Sequence, residues 1–215
     1  MTTSFFHFSS PFVSWKKVEN HDEIKQKWLQ PIVDDYEKNK NTLKKLSSKT
    51  WDEDCCTSSI FGKDTTSYDL ITDILDDNLV SSTIWESYYS MLDGLLKTDK
   101  ISKIEYEEYH NAVLDDLWYN YYEIGEYQEA HNHDTCLFSG VYVLDDLEPN
   151  NTYWFNENPV FGSDTKNCFR KSNSRELGIG EGYILFFPSR LPHYVPSVKN
   201  KKITLSFNFD YDRES

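Results

Sequence analysis

Apolar residues in the first half of the chain recur at helical spacing. Ile24, Trp28, Ile32 and Tyr36 fall four apart in "HDEIKQKWLQPIVDDYEKNKNTLKKL" and mark one buried stripe, with Asp22 as an N-terminal signal. "SYDLITDILDDNL", "STIWESYYSMLDGLLK" and "KIEYEEYHNAVLDDLW" continue that period, and their aromatics read as core packing. After about Leu117 the pattern changes. "LWYNYYEI", "LFSGVYVL", "TYWFN", "GYILFFP" and "KITLSFNF" are short, rich in β-branched and aromatic residues, and separated by Gly, Pro, Asn and Asp clusters. Several are apolar at consecutive positions, as strands covered on both faces are. The expectation is an α+β fold made as a single folded unit. Residues 1–116 form a mainly helical extension packed outside, and residues 117–215 form an all-β sandwich or barrel core.

Composition narrows the partners. The 215 residues suffice for one core with a helical extension, and an aromatic content of 16% argues against disorder despite a mean hydropathy of -0.67. A formal charge of -14 argues against nucleic acid and anionic membranes, both of which need lysine and arginine. The first residues lack a basic, apolar leader and no run reaches spanning length, so a cytoplasmic location is expected. Cys55, Cys56, Cys136 and Cys168 form neither a metal-type pair nor a disulfide framework. The acidic runs "WDEDCC" and "LDDNL" lack calcium-loop spacing and read as solvated surface.

Six histidines remain to be placed. His7, His21 and His110 lie in or beside the helical half, where surface and capping roles account for them. His131 and His133 in "HNHD" are two residues apart ahead of an apolar strand, so an extended backbone presents both on one face. A polar strand entrance alone would also explain that pair. "GYILFFPSRLPHYVPS" adds a third, His193, at the start of another extended run. Two imidazoles from one strand and one from a distant strand make a facial set of three, with the opposite positions open.

On these segments the chain resembles a known family. "WYNYYEIGEYQEAHNHDTCLFSGVYVL", "GYILFFPSRLPHYVPS" and "KKITLSFNF" look like the 2-oxoglutarate- and Fe(II)-dependent oxygenases. The nearest group is the oxygenases common in marine bacteria and their phages, with the prolyl 4-hydroxylases more distant. The likeness runs from about Trp118 to Phe209, and "FFHFSSPFVSWKKV" looks like the opening of the same group. It implies a double-stranded β-helix, or jelly-roll, with iron at one open end. It also implies Fe(II), 2-oxoglutarate and O2 as cofactor and co-substrates, and a hydroxylation that releases succinate and CO2. The expected setting is the cytoplasm of a bacterial cell, with a phage gene as one source.

The family's usual first motif is His-x-Asp, whereas this chain reads His131-Asn132-His133. The metal set implied is therefore His131, His133 and His193, with Asp134 as the alternative carboxylate. Where the family places a basic residue for the distal carboxylate of 2-oxoglutarate, the chain has Lys202, nine residues beyond His193. Thr204 shares its face, and Lys201 points to the other. Asn120, Tyr122 and Tyr142, with Tyr119, are candidates to line the co-substrate pocket. The stretch between Gly162 and Glu181 is expected to be a loop serving substrate recognition or closure. The substrate expected is a protein side chain or a small molecule. Two other readings stay open: a cupin-like three-histidine metalloenzyme that does not use 2-oxoglutarate, and a non-catalytic jelly-roll interaction protein.

Overall fold

The computed structural model describes residues 4–7, 12–50, 55–58, 67–133, 135–147, 152–155, 171–173 and 176–212. Among the described residues, four helices precede most of the strands: α1 (His21–Thr50), α2 (Tyr68–Asp76), α3 (Asn78–Lys97) and α4 (Lys103–His110). The stripe read from the sequence is the buried face of α1, where Ile24, Trp28, Ile32 and Tyr36 are all in the core. On α3 the corresponding residues are Val80, Ile84, Tyr88, Leu92 and Leu95. Asp77 caps α3 by accepting from the Leu79 amide and also accepts from Trp28 Nε1 at 2.6 Å, so one carboxylate joins α1 to α3. Ser102 and Glu105 form a reciprocal capping box at the start of α4. No helix among the described residues is long and apolar enough to cross a membrane.

The strands form two antiparallel sheets. The larger has the order β1 (Ser4–His7), β2 (Phe12–Lys17), β9 (Tyr183–Pro188), β6 (Phe138–Asp146), β11 (Lys202–Asp210), β4 (Val113–Tyr122) and β3 (Cys56–Thr57). The smaller runs β5 (Gln128–His131), β10 (His193–Val195), β7 (Tyr153–Phe155) and β8 (Lys171–Asn173). This is the double-stranded β-helix with helices outside. Helical period alone did not reveal β1, β2 or β3, which come from the first 116 residues and extend both edges of the larger sheet.

β11 explains how one sheet serves a core and a site. It pairs with β4 on one side and β6 on the other, and all nine of its residues are buried. Side chains alternate across a strand, so Ile203, Leu205, Phe207 and Phe209 enter the helical core while Lys202, Thr204 and Ser206 face the smaller sheet. The helical layer grips the apolar face through stacked rings: Tyr88 of α3 lies 4.0 Å from Phe209, and Tyr36 of α1 lies 3.6 Å from Tyr121 on neighbouring β4. Phe207 crosses Gly140 of β6, where any Cβ would overlap its ring. A second apolar cluster of Val13, Trp154, Ile179, Leu185, Phe187 and Leu191 fills the space between the sheets.

Candidate metal centre

Between the two sheets lies a pocket of about 420 Å3, counting its mouth. Its walls include Trp118, Asn120 and Tyr122 from β4, Gln128 and His131 from β5, and Lys202, Thr204 and Ser206 from β11. His133 and His193 complete the histidine end.

The three histidines come together as the sequence suggested. His131 and His193 are direct partners in the β5–β10 register, and their ring centroids are 4.3 Å apart. His133 follows β5, held by its amide donating to the Ser189 carbonyl at 2.7 Å, with its ring 5.2 Å from His131 and 5.4 Å from His193. One ring nitrogen from each lies within 4.8 Å of the others.

Hydrogen bonds select the atoms that converge. His131 Nδ1 donates to the Glu129 carbonyl at 2.8 Å, His193 Nδ1 to the Leu191 carbonyl at 3.0 Å, and His133 Nδ1 to Asn208 Oδ1 at 2.9 Å. With each Nδ1 acting as a donor, each Nε2 keeps its lone pair. Burial disfavours the imidazolium in all three: His131 is pushed down to about 4, His133 is lowered, and His193 is lowered well below its ordinary value. The rings are therefore neutral near pH 7, the form that binds metals. Three imidazoles suit Fe, Zn, Cu or Ni, and they add no charge to the ion. Asp134, the alternative ligand, lies outside the described residues. No carboxylate joins the three imidazoles among the described residues.

At the other end of the pocket Lys202 is only 2% exposed. Among the described residues its ammonium has one long hydrogen bond, 3.4 Å to Thr152 Oγ1, and sits 5.9 Å from the Tyr122 ring centroid. Desolvation lowers its pKa below 10.5, an effect that Asp146 partly offsets. Such a buried ammonium suits a ligand carboxylate. Lys201 turns to the other face and pairs with Asp145 at 3.0 Å, in keeping with strand alternation. Asn120 Nδ2 donates to Ser206 Oγ at 3.0 Å and reaches Thr204 Oγ1 at 3.4 Å, while its buried Oδ1 has no partner among the described residues. Tyr122 lies in the wall and donates to Gln128 Oε1 at 2.9 Å.

Tyr142 is a correction. It faces the helical layer with Phe138 and Leu144, and its hydroxyl lies 2.6 Å from His21 Nδ1. Val141, one position earlier on β6, lines the pocket instead. The Tyr119 side chain also points to the helices, where it donates to Asp35 at 2.7 Å. His21 is accordingly a helix-to-sheet contact. Gln128, Ser139, Ser206 and Asn208 were missed in the sequence. Of these, Ser206 and Asn208 could have been found by continuing the alternation Lys202, Thr204 along β11. The expected loop between Gly162 and Glu181 falls outside the described residues, except for β8 and residues 176–181.

The strands that carry this site are also the part of the chain that is similar to a known family. Residues 116–210, a little under half of the chain, match the family model described as "Putative 2OG-Fe(II) oxygenase". No curated protein sequence matches the chain. Among solved structures, AviO1 from Streptomyces viridochromogenes Tue57 is similar in fold, with a TM-score of 0.52 and 9% identity over 94% of this chain and 90% of that one. A Pseudomonas putida prolyl-4-hydroxylase aligns at a TM-score of 0.48 and 12% identity, covering 93% and 92% of the two chains. A viral collagen prolyl hydroxylase from Paramecium Bursaria Chlorella virus-1 aligns at 0.47 and 12%, covering 93% and 96%. The likeness to the 2-oxoglutarate- and Fe(II)-dependent oxygenases thus lies in the jelly-roll half, the part that carries the three histidines and Lys202.

Proposed function

We propose that the chain hydroxylates a protein side chain or a small molecule, with His131, His133 and His193 holding Fe(II) and Lys202 holding the distal carboxylate of 2-oxoglutarate. The observation that carries this reading is the pairing of two features in one pocket. Three neutral imidazoles converge through Nε2 at one end, and a buried ammonium stands at the other. An ion held on one face by three protein ligands keeps positions for a chelating keto acid and for O2, and these supply the oxidative chemistry.

The protein's own residues orient and shield. Lys202 and Thr152 receive the anionic end of the co-substrate. Rotation of the Asn120 amide lets the Thr204 and Ser206 hydroxyls donate to its oxygen and frees the NH2 to donate to a carboxylate. Tyr122 and Trp118 wall the pocket, and Phe187 packs edge-on against His193 at 4.7 Å, which limits water beside the ligands.

Anaerobic titration with Fe(II) and then 2-oxoglutarate tests the reading. The expected result is the weak visible charge-transfer band of a keto acid chelated to iron, lost in His193→Ala. Folded, iron-loaded protein that shows no band would sink it. The three-histidine set favours one competing reading, a metalloenzyme that does not use 2-oxoglutarate. In that case Lys202→Ala would leave activity unchanged, whereas here it raises the 2-oxoglutarate requirement sharply.

A further inference from the structure

The three histidines are not held in the same way. His131 and His193 each donate to a carbonyl two residues upstream, so their own strands fix their rings. His133 lies beyond the end of β5, and its ring bond goes to a side chain 75 positions away, Asn208 on β11. Asn208 Oδ1 is a double acceptor, taking His133 Nδ1–H at 2.9 Å and the Ser139 hydroxyl at 2.8 Å. Ser139 Oγ is in turn 2.9 Å from Ser189 Oγ, and both serines are buried. Because Ser139 spends its proton on Asn208, Ser189 is the donor in that pair. The chain runs Ser189 to Ser139 to Asn208, and His133 meets it from the other side. Ser189 also accepts the His133 amide through its carbonyl, so the same residue grips both the backbone and, indirectly, the ring.

We infer that Asn208 is the positioning residue for His133: by accepting from Nδ1 it fixes the tautomer and direction that aim Nε2 at the metal, with Ser139 and Ser189 holding its carbonyl in place. This rests on the ligand assignment proposed above and deepens it. His133 lies past the end of β5, so its imidazole takes its acceptor from outside its own strand. A reversed amide would present NH2 to Nδ1, move the ring proton to Nε2 and remove the ligand. The acceptor is neutral, so it orients the ring without adding charge to a site whose other ligands are also neutral.

Co(II) titration of the full-length protein, followed by its visible d–d absorption, tests the inference. Wild type is expected to bind one Co(II), and His193→Ala to lose it. If wild type gives no such spectrum, or His193→Ala binds as well, the ligand assignment fails first. Given that both controls behave, Asn208→Leu is expected to weaken Co(II) binding by about 10–100-fold and change the d–d band. Asn208→Asp keeps an acceptor oxygen at the same place and is expected to bind at least as tightly as wild type. Ser139→Ala, which leaves the amide but removes its second donor, is expected to show an intermediate loss. Wild-type affinity and spectrum in Asn208→Leu would overturn the inference. So would an Asn208→Asp protein, folded by circular dichroism, that binds as poorly as Asn208→Leu. Should the leucine variant not fold, the aspartate and Ser139→Ala variants decide.

Discussion

His131 and His193 stand opposite each other on antiparallel β5 and β10, with ring centroids 4.3 Å apart. Backbone pairing therefore sets the distance between two of the three imidazoles before any ion arrives. In the metal-free protein His193 is buried, His131 and His133 are half-buried, and all three disfavour a proton, with His131 pushed down to about 4 from 6.5. A folded-state pKa below the unfolded value means the unfolded chain binds more protons between the two. Stability is then independent of these groups above pH 6.5 and falls as pH drops toward 4. Urea midpoints of the metal-free protein across this range should show the fall, and His131→Asn should flatten it by up to about 3 kcal/mol. Parallel profiles for the two proteins would contradict the prediction.

Lys202 is the opposite kind of burden. Its ammonium is buried without a bonded carboxylate among the described residues, and its pKa is lowered. The folded state bears this cost while the lysine is charged, and the cost is relieved as pH rises through the lowered pKa. Lys202→Met is therefore expected to raise the melting temperature of the ligand-free protein, by about 2–4 °C for each kcal/mol recovered. The same change should weaken 2-oxoglutarate binding about tenfold or more, the scale of a charge-assisted hydrogen bond. In wild type, 2-oxoglutarate affinity should decline at alkaline pH sooner than an ordinary lysine would cause. Calorimetric titration from pH 7 to 10 reads both effects, and a variant that melts lower yet binds 2-oxoglutarate normally would refute them.

Tyr142 and Val141 are neighbours on β6 with opposite fates. Since the tyrosine hydroxyl meets His21 and not the pocket, Tyr142→Phe should leave 2-oxoglutarate affinity unchanged. It should cost about 1 kcal/mol of stability through the lost hydrogen bond. A selective loss of co-substrate binding with normal stability would place Tyr142 in the site after all.

Gly140 leaves room for the Phe207 ring between β6 and β11. An added methyl must push an aromatic ring that is fully buried, so Gly140→Ala is expected to cost about 1–3 kcal/mol. Chemical denaturation measures it directly. A variant as stable as wild type would show that the ring has somewhere else to go.

What the sequence revealed, and what it hid, follows from the range of the interactions. The α1 stripe is visible because helical spacing is local, and all four of its predicted residues are buried. The histidines were legible because residue type and i, i+2 spacing carry the chemistry, and the structure brings them within 4.8 Å. Tyr142 was misplaced because both faces of β6 are covered, which leaves no polar side in the sequence to show which residues face the pocket. Asn208 escaped because its significance depends on a partner 75 residues away. β3 is only two residues long, too short for any period to register.

The two-faced character of β11 also bears on how this protein could be altered. Its odd-numbered residues are committed to the helices, so they resist replacement, whereas Lys202, Thr204 and Ser206 line the pocket. An exchange at Thr204 or Ser206 would therefore reshape the pocket while leaving the aromatic face untouched, at the expense of their bonds to Asn120. Deleting one residue within the same strand would do the reverse, delivering phenylalanines to the pocket and a lysine to the oil.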